Sequence, residues 1–481
     1  MTNTSSQLDG LWEVNADYAR SIGFSGETTR ALLYLFALRF LSTQDKAVEE
    51  LWREVRIRQG RFSGNLGLAR EMLQKLAQGV ERRFPELERV FTQQLLLGLG
   101  SADSLLDRWV WDLDALGSSV KVTSVGFGHW FDRMCESIAV GGADGFQFST
   151  PRPLAELIVR LAAPTAGESV HDPCAGIGTI LAAAAFRVGN PECSAALSGQ
   201  EIEPGVVALA RLRLFLLGAG EVRIRTGDVI RHPEFVQHVT ETDFFGKTRL
   251  TKGTDLETFD VVLCDPPYGQ RFGDTHFAEF DPYRRFVYGR PGRTSGDMAF
   301  VQHAIACLKP HGRAITLIPH GPLFRSGADV TIRTNMIADD VIDAVIGLPA
   351  GMLPGLSLEL ALLLCRRDRK EAGRAGQILF IDASQRRDAL ETPGKWESLA
   401  DEVVSTCANN ADVPSFARVV TRAEIERNLF SLQPRRYISR EDPMQCVDIR
   451  ATLAEAVRHE RGAIRHAELM EQLLEQLSNT K

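Results

Sequence analysis

Residues 259–272 read FDVVLCDPPYGQRF. An apolar, β-branched run ends on an acid, and two prolines follow at once. Each proline lacks an N–H donor and fixes φ, so a sheet ladder cannot continue through Pro266 and Pro267, and the chain must leave the strand just after Asp265. The stiff exit sets one carboxylate, Asp265, and one ring, Tyr268, at the carboxyl end of a strand. In open α/β sheets that edge is where ligands bind.

Working outward, strand and helix patterns alternate from about residue 145, as in a doubly wound parallel sheet of Rossmann-like type. Glu168–Asp172 (ESVHD) reads as a short strand running into the loop PCAGIG, and Thr179–Phe186 (TILAAAAF) as a small-residue helix. Ala195–Ile202 is a second strand, Gly205–Leu217 a second helix and Val222–Thr226 a third strand. After a polar insertion with no clear period, Phe259–Cys264 is the fourth strand. Met298–Leu308 is expected to be helical, and Arg313–Ile318, Val341–Gly347, Leu358–Cys365 and Gln377–Asp382 are further strands. No repeat or low-complexity tract interrupts the pattern.

Acids fall at the ends of successive strands in this reading. Asp172 precedes Gly176 and Gly178, where glycines let the backbone turn sharply and approach a ligand closely. Glu201 ends the second strand, where a carboxylate can accept from both hydroxyls of a ribose, and Asp228 follows the third, a place suited to an adenine amino group. A lone GxG means little, but four strand ends carrying this chemistry in order are hard to attribute to coincidence. The loop lacks GK[ST] and is not GxGxxG, so a nucleotide whose phosphates are cradled is not supported. A nucleoside ligand without phosphates fits better, and S-adenosyl-L-methionine is the obvious one.

The flanking regions differ in character. Residues 1–140 read mainly as helix, with Thr28–Leu41 (TTRALLYLFALRFL) apolar on most faces and Lys46–Arg61 charged and amphipathic. The strand and helix alternation fills 141–385, a polar, mixed segment at 386–446 reads as a small lobe, and 447–481 reads as an amphipathic helix that needs a surface to pack on. A chain of 481 residues with 44% hydrophobic and 24% charged residues has the composition of a soluble globular protein of more than one unit. The amino-terminal MTNTSSQLDG reads as no signal peptide, and Ala31–Leu38 is far short of the roughly 20 residues of a membrane span, so a cytoplasmic protein with no membrane partner is expected. Eight cysteines are scattered without CxxC, which suggests neither a metal site nor a disulfide framework. The formal charge of −7 means that any nucleic-acid partner must be held by local basic patches or through another subunit.

Taken together, QFSTPRPL (147–154), HDPCAGIGTIL (171–181), GQEIEP (199–204), GDVI (227–230) and DVVLCDPPYG (260–269) resemble the amino-methylating DNA methyltransferases. Within them the chain is similar to the methylation subunit of type I restriction-modification systems. The likeness extends to GDMAFVQHAIACLKPHGRAITLIPHGPLFRSG, VIDAVIGLPAGML and ILFIDAS, to TTRALLYLFALRFLST, and to FARVVTRAEIERNLFSLQPRRYI. The resemblance implies transfer of a methyl group from S-adenosyl-L-methionine to the N6 amine of adenine in a specific DNA sequence. It implies that Thr150 and the Asp172–Gly178 loop, with Cys174, hold the methionine part of that cofactor, Glu201 its ribose and Asp228 its adenine. Asp265, Pro266, Pro267 and Tyr268 would then be the catalytic motif.

On that reading the DPPY turn has a purpose. The exocyclic amine of adenine is a poor nucleophile because its lone pair is delocalised into the ring. Acceptors on Asp265 and on the Pro266 carbonyl would draw the nitrogen toward tetrahedral geometry, through positioning and electrostatics more than proton abstraction. Tyr268 would stack on the flipped base. Type I methylation subunits commonly carry Asn and Phe at the positions of Asp265 and Tyr268, and a third glycine at that of Thr179. An acceptor and a ring are preserved at the first two.

Asp281–Arg293 (DPYRRFVYGRPGR) interleaves Arg284, Arg285, Arg290 and Arg293 with aromatics, which suits phosphate contacts and base stacking as well as it suits a solvated loop. Arg53, Arg56, Arg58 and Arg61 read as a solvated helix face, and Cys264 as a small core residue. No target-recognition domain is evident. The resemblance therefore implies double-stranded DNA and a separate DNA specificity subunit as partners, docked by the 447–478 helix and the amino-terminal helices. A second copy of the chain and a restriction (translocase/nuclease) subunit extend that list. Two other readings compete: an RNA methyltransferase acting on a guanine N2 amine, since DPPYG occurs in such enzymes, and a non-catalytic scaffold with the methyltransferase fold.

Overall fold

A computed structural model of the chain describes residues 2–21, 26–62, 65–98, 103–118, 120, 122–140, 149–188, 196–242, 248–273, 276–353, 358–392 and 394–438. The expected helix at 447–481 lies outside the described residues. Among the described helices none is long and apolar enough to cross a membrane.

The first part of the chain is helical: α1 (Thr2–Ser21), α2 (Gly26–Ser42), α3 (Lys46–Ile57), α4 (Leu66–Arg83), α5 (Val90–Gly98), α6 (Asp103–Leu113), α7 (Ala115–Ser118) and α8 (Ser124–Val140). Helix α2 is central, as its apolar circumference requires: every residue from Ala31 to Leu41 is buried. Helix α1 adds Leu8, Trp12 and Ala16 to the same core at i, i+4 and i+8 spacing.

Beyond it come α9 (Arg152–Ala162), β1 (Ser169–Asp172), α10 (Thr179–Val188), β2 (Ala196–Glu201), α11 (Pro204–Leu216), β3 (Val222–Thr226), β4 (Val236–Thr242), β5 (Thr248–Leu256), β6 (Phe259–Cys264), α12 (His276–Glu279), α13 (Asp297–Ala306), β7 (Leu308–Pro319), α14 (Ala328–Ala338), β8 (Ile342–Gly347), β9 (Leu360–Arg366) and β10 (Gln377–Asp382). The last stretch adds α15 (Asp388–Glu391), α16 (Lys395–Asn409), β11 (Ala417–Thr421) and α17 (Arg422–Arg427). Nine strands form one sheet in the order β11-β10-β8-β9-β7-β6-β1-β2-β3. Residues alternate between its faces: Val261 and Leu263 of β6 pack with α9, α10 and α16, whereas Val262 between them packs with α13 and α14.

Three expectations need correction. The sheet is not wholly parallel, because β9 runs antiparallel between β7 and β8, and β11 runs antiparallel on β10. The polar insertion before β6 is a hairpin, β4 with β5, in a separate two-stranded sheet. It carries little of the apolar alternation by which strands are recognised; of its ends, Val236 and Leu256 reach a core. The mixed segment after 386 contains a 15-residue helix, α16, and an edge strand on the main sheet. In addition, the expected helix at 298–308 stops at Ala306 and Leu308 already belongs to β7, pairing with Phe259 at the start of β6.

Helix α11 joins the helical part to the sheet. Its Val207, Ala210 and Leu214 face the sheet core, and its Ala208, Leu209, Leu212 and Leu216 face the helical core. Burial on both sides explains the nearly unbroken apolar run PGVVALARLRLFL. Helix α8 crosses α11 so closely that a Cβ on Gly128 would lie 2.2 Å from the Leu216 carbonyl oxygen. We expect Gly128→Ala to lower unfolding stability by about 1–3 kcal/mol, because two packed backbones must separate. Urea denaturation checks this, and an unchanged midpoint would mean that the crossing yields freely.

Candidate active site

Strand β1 pairs in parallel with β2 on one side and with β6 on the other. The chain runs outward from β1 through β2 to β3 and returns to the opposite side at β6. A crevice therefore opens at the carboxyl ends of β1 and β6, the switch point at which such sheets bind ligands. The loop Asp172–Gly178 leaves one of these strands and the turn Asp265–Gly269 leaves the other.

At the turn, the Asp265 carboxylate accepts the Thr150 hydroxyl at 2.6 Å and also the Tyr268 hydroxyl. The first of these joins residues far apart in sequence. Pro266 is buried beneath. Gly269 follows with φ +63 and donates its N–H to Asp297 on α13 at 2.9 Å, while the other Asp297 oxygen accepts the Ser295 hydroxyl at 2.7 Å. The rigidity supplied by the prolines thus continues into an anchored loop. Burial pushes the Asp265 carboxyl up to about 6, against the two hydroxyl bonds that favour its charge. Burial and the neighbouring Asp265 charge also push the Tyr268 phenol upward, so it stays protonated and donates.

In the glycine loop, Asp172 is buried and accepts the Cys174 N–H at 3.0 Å. Its burial, with Asp265 and Glu201 adding negative charge, raises its carboxyl well above the usual range. Burial likewise holds the Cys264 thiol neutral. Gly178 has φ +78, a conformation that an L side chain rarely adopts, and Ala175 donates to the Gln200 carbonyl at 2.9 Å, binding the loop to β2. Glu201 reaches back into the loop and accepts the Gly176 N–H at 3.1 Å, with its other oxygen on Glu203 N–H at 3.0 Å. Asp228 caps its own turn, accepting Ile230 and Arg231 N–H at 2.9 and 3.0 Å. Val229 and Ile230 beyond it pack with Phe272, Phe286 and Cys174 in an apolar cluster. The eleven residues singled out in the sequence therefore occupy the ends of β1, β2, β3 and β6, with Thr150 brought across to Asp265.

Three residues that the sequence pattern did not single out hold this arrangement together. Arg213 is fully buried in α11; it donates to Asp132 and Glu136 of α8 at 2.7 and 2.9 Å, to the Ile177 carbonyl at 3.2 Å and to the Thr179 hydroxyl at 3.0 Å. Thr179, standing where a glycine is frequent in the resembling family, thus supplies an acceptor for a buried guanidinium. Arg152, at the start of α9, pairs with the same Asp132 and Glu136. The remaining one is Asp297. The available signal for Arg213 was an arginine, one of two with Arg211, inside a helix otherwise apolar.

The basic loop divides. Arg285 is buried, paired with Asp281 at 2.7 Å and bonded to the Val229 and Ile230 carbonyls at 3.0 and 2.7 Å. It ties the loop to the turn after β3 and is not available for phosphate contacts. Arg290 pairs with Glu279 at 2.9 Å, and Arg284 and Arg293 are exposed.

The architecture is a methyltransferase fold. The methyltransferase subunit of a type I restriction-modification system from Streptococcus thermophilus superposes with a TM-score of 0.68 at 20% identity, covering 91% of this chain and 100% of that one. Residues 126–445 match the family model described as N-6 DNA Methylase, and the chain belongs to that family. It is 27% identical over 337 residues to the type I restriction enzyme MjaVIII methylase subunit of Methanocaldococcus jannaschii, covering 68% of this chain and 56% of the relative. It is 26% identical over 322 residues to the MpnII methylase subunit of Mycoplasma pneumoniae, covering 64% and 56%. The chain spans about half the length of these two relatives.

Removing Arg213 would leave Asp132, itself buried, with part of its compensation gone. We expect Arg213→Met to cost about 3–5 kcal/mol of stability. Denaturant unfolding measures it, and a loss below about 1 kcal/mol would mean that the pair is as dispensable as an exposed one.

Proposed function

We propose that the chain is the modification subunit of a type I restriction-modification system and methylates the N6 amine of adenine in DNA. The observation that carries this reading is the Asp265–Tyr268 turn at the carboxyl end of β6, set across the switch-point crevice from the Asp172–Gly178 loop, within the segment that matches the N-6 DNA Methylase family. The relatives' names support the assignment to a type I system. In this proposal 1–140 is the helical domain, 141–385 the catalytic domain, 386–446 a smaller lobe and 447–481 a docking helix. The partners are double-stranded DNA, a DNA specificity subunit, a second copy of the chain and a restriction subunit.

The residues present suit S-adenosylmethionine. Glu201 is partly exposed at the crevice with a carboxylate able to accept ribose hydroxyls, Asp228 and the apolar cluster beyond it suit adenine, and the Asp172–Gly178 loop with Cys174 suits the methionine part. When bound, the cofactor supplies an electrophilic methyl group. Asp265 and the Pro266 carbonyl accept the two N–H bonds of the target amine and aim its lone pair. The Thr150 and Tyr268 hydroxyls fix the carboxylate's orientation until the amine arrives. Tyr268 offers its ring to the extruded base, offsetting part of an unstacking cost of a few kcal/mol.

Nucleoside mass spectrometry on DNA and RNA tests the reaction in methylation-free cells expressing the chain with its genomic neighbours. N6-methyladenine in DNA should appear and should vanish with Asp265→Ala. Methylation confined to RNA would replace this reading with the guanine-directed one, and none in either would favour the scaffold.

The ionised form of Asp265 is the better acceptor, and it predominates above pH 6. kcat/KM should therefore fall about tenfold per unit as pH drops below about 6. Asp265→Asn, which keeps an acceptor oxygen but cannot titrate, should remain active and lose this acid limb. Retention of the limb in that variant would move the titration to another group.

A further inference from the structure

The following inference rests on the reading of the chain as a DNA-modifying subunit. A chain with a formal charge of −7 must concentrate positive charge locally to hold a polyanion. Four exposed arginines, Arg231, Arg271, Arg293 and Arg325, come together beside the Asp265–Tyr268 turn although they lie on four separate segments.

Hydrogen bonds define the juxtaposition. Gly296 N–H donates to the Gln270 carbonyl at 2.8 Å and Gly273 N–H to the Arg293 carbonyl at 3.2 Å, so Gly269–Gly273, leaving Tyr268, runs alongside Arg293–Asp297. Arg325 reaches Ser295 Oγ at 3.5 Å. Its guanidinium lies over Gly321, where a Cβ would be 2.3 Å from the guanidinium carbon. Arg231 donates to the Phe272 carbonyl at 3.4 Å. Among the described residues none of the four forms an ion pair, whereas Arg285 and Arg290 of the adjoining loop are paired. The backbone carrying Arg271 and Arg293 is held by Asp297 through Gly269 and Ser295. Asp329 offsets part of the Arg325 charge, and the like charges gathered on this anchored frame repel one another and are relieved by an anion of matching spacing.

We propose that Arg231, Arg271, Arg293 and Arg325 form an arc that contacts the phosphate backbone of duplex DNA beside the base presented to Asp265 and Tyr268. Such contacts set register on the duplex and carry no sequence information. They leave base recognition to another element.

The test uses the full-length chain and a short fluorescent DNA duplex, with affinity measured by anisotropy between about 50 and 200 mM salt. The variant carries Arg271→Gln, Arg293→Gln and Arg325→Gln together. Each lost phosphate contact should reduce the slope of log K against log salt by about 0.9, so the slope should fall by about 2.7 and low-salt affinity should weaken by tenfold or more. S-adenosylmethionine binding, followed calorimetrically, should persist in the variant. A second variant with Arg53→Gln, Arg58→Gln and Arg61→Gln on α3 and the turn after it should keep the wild-type slope. An unchanged slope in the first variant, an equal fall in the second, or no duplex binding by the wild type overturns the arc. So does a slope change seen with duplex RNA alone. Loss of the specificity partner with an unchanged DNA slope assigns the arc to protein docking and also overturns the proposal. Absence of S-adenosylmethionine binding by the wild type counts instead against the methyltransferase reading.

Discussion

Arg213 carries a charge in the middle of a helix that is apolar on both sides, and its five N–H donors must be answered inside the protein. They are answered by Asp132 and Glu136 from α8, by the Ile177 carbonyl and by the Thr179 hydroxyl. Three independent pieces of structure, the helical part, α11 and the glycine loop, therefore meet on one guanidinium. Taking both charges out of water costs several kcal/mol, and only complete pairing offsets that cost. The pairing is met when α8 lies against α11 at Gly128 and the loop after β1 turns as it does. The packing of the helical part thereby reaches, through Arg213, the loop residues that would hold the cofactor.

The crevice itself depends on unequal treatment of two carboxylates. Burial and the negative charge of Asp265 and Glu201 raise the Asp172 carboxyl well above the usual range, whereas Asp265 sits at the crevice with two hydroxyls donating to it and is pushed up to about 6. Environments that separate two acids in this way are how one site assigns different tasks to the same side chain. Here the inner acid shapes the loop through Cys174 N–H, and the outer one stays available as an acceptor for a ligand.

Much of this was legible along the chain. The boundaries of β6 and β10 follow from apolar runs stopped by turn residues, those of β3 from the alternating VRIRT before Gly227, and the acids at strand ends stand in the sequence itself. The β4–β5 hairpin was not legible, because VQHVTET and TRLTKGTDL carry little apolar alternation. Helix α16 shows Leu399, Val403 and Cys407 at four-residue spacing, but the polar residues between them dilute the period. The antiparallel course of β9 left no local mark, since LALLLCR packs equally well in either direction when both faces are covered.

The sequence by itself determined the bounds of β3, β6 and β10, which chemistry stands at the strand tips around the site, and that two prolines make the catalytic-type turn stiff. These are consequences of local sterics and periodicity, which act over a few residues. Tertiary structure alone decided the strand directions, the pairing of Thr150 with Asp265, the withdrawal of Arg285 into the core while Arg271, Arg293 and Arg325 remain outside, and the raised carboxyl of Asp265. Each of those depends on which distant segments surround a group and how much water they exclude. Desolvation and charge pairing sum over neighbours in space, and neighbours in space are what a linear pattern does not contain.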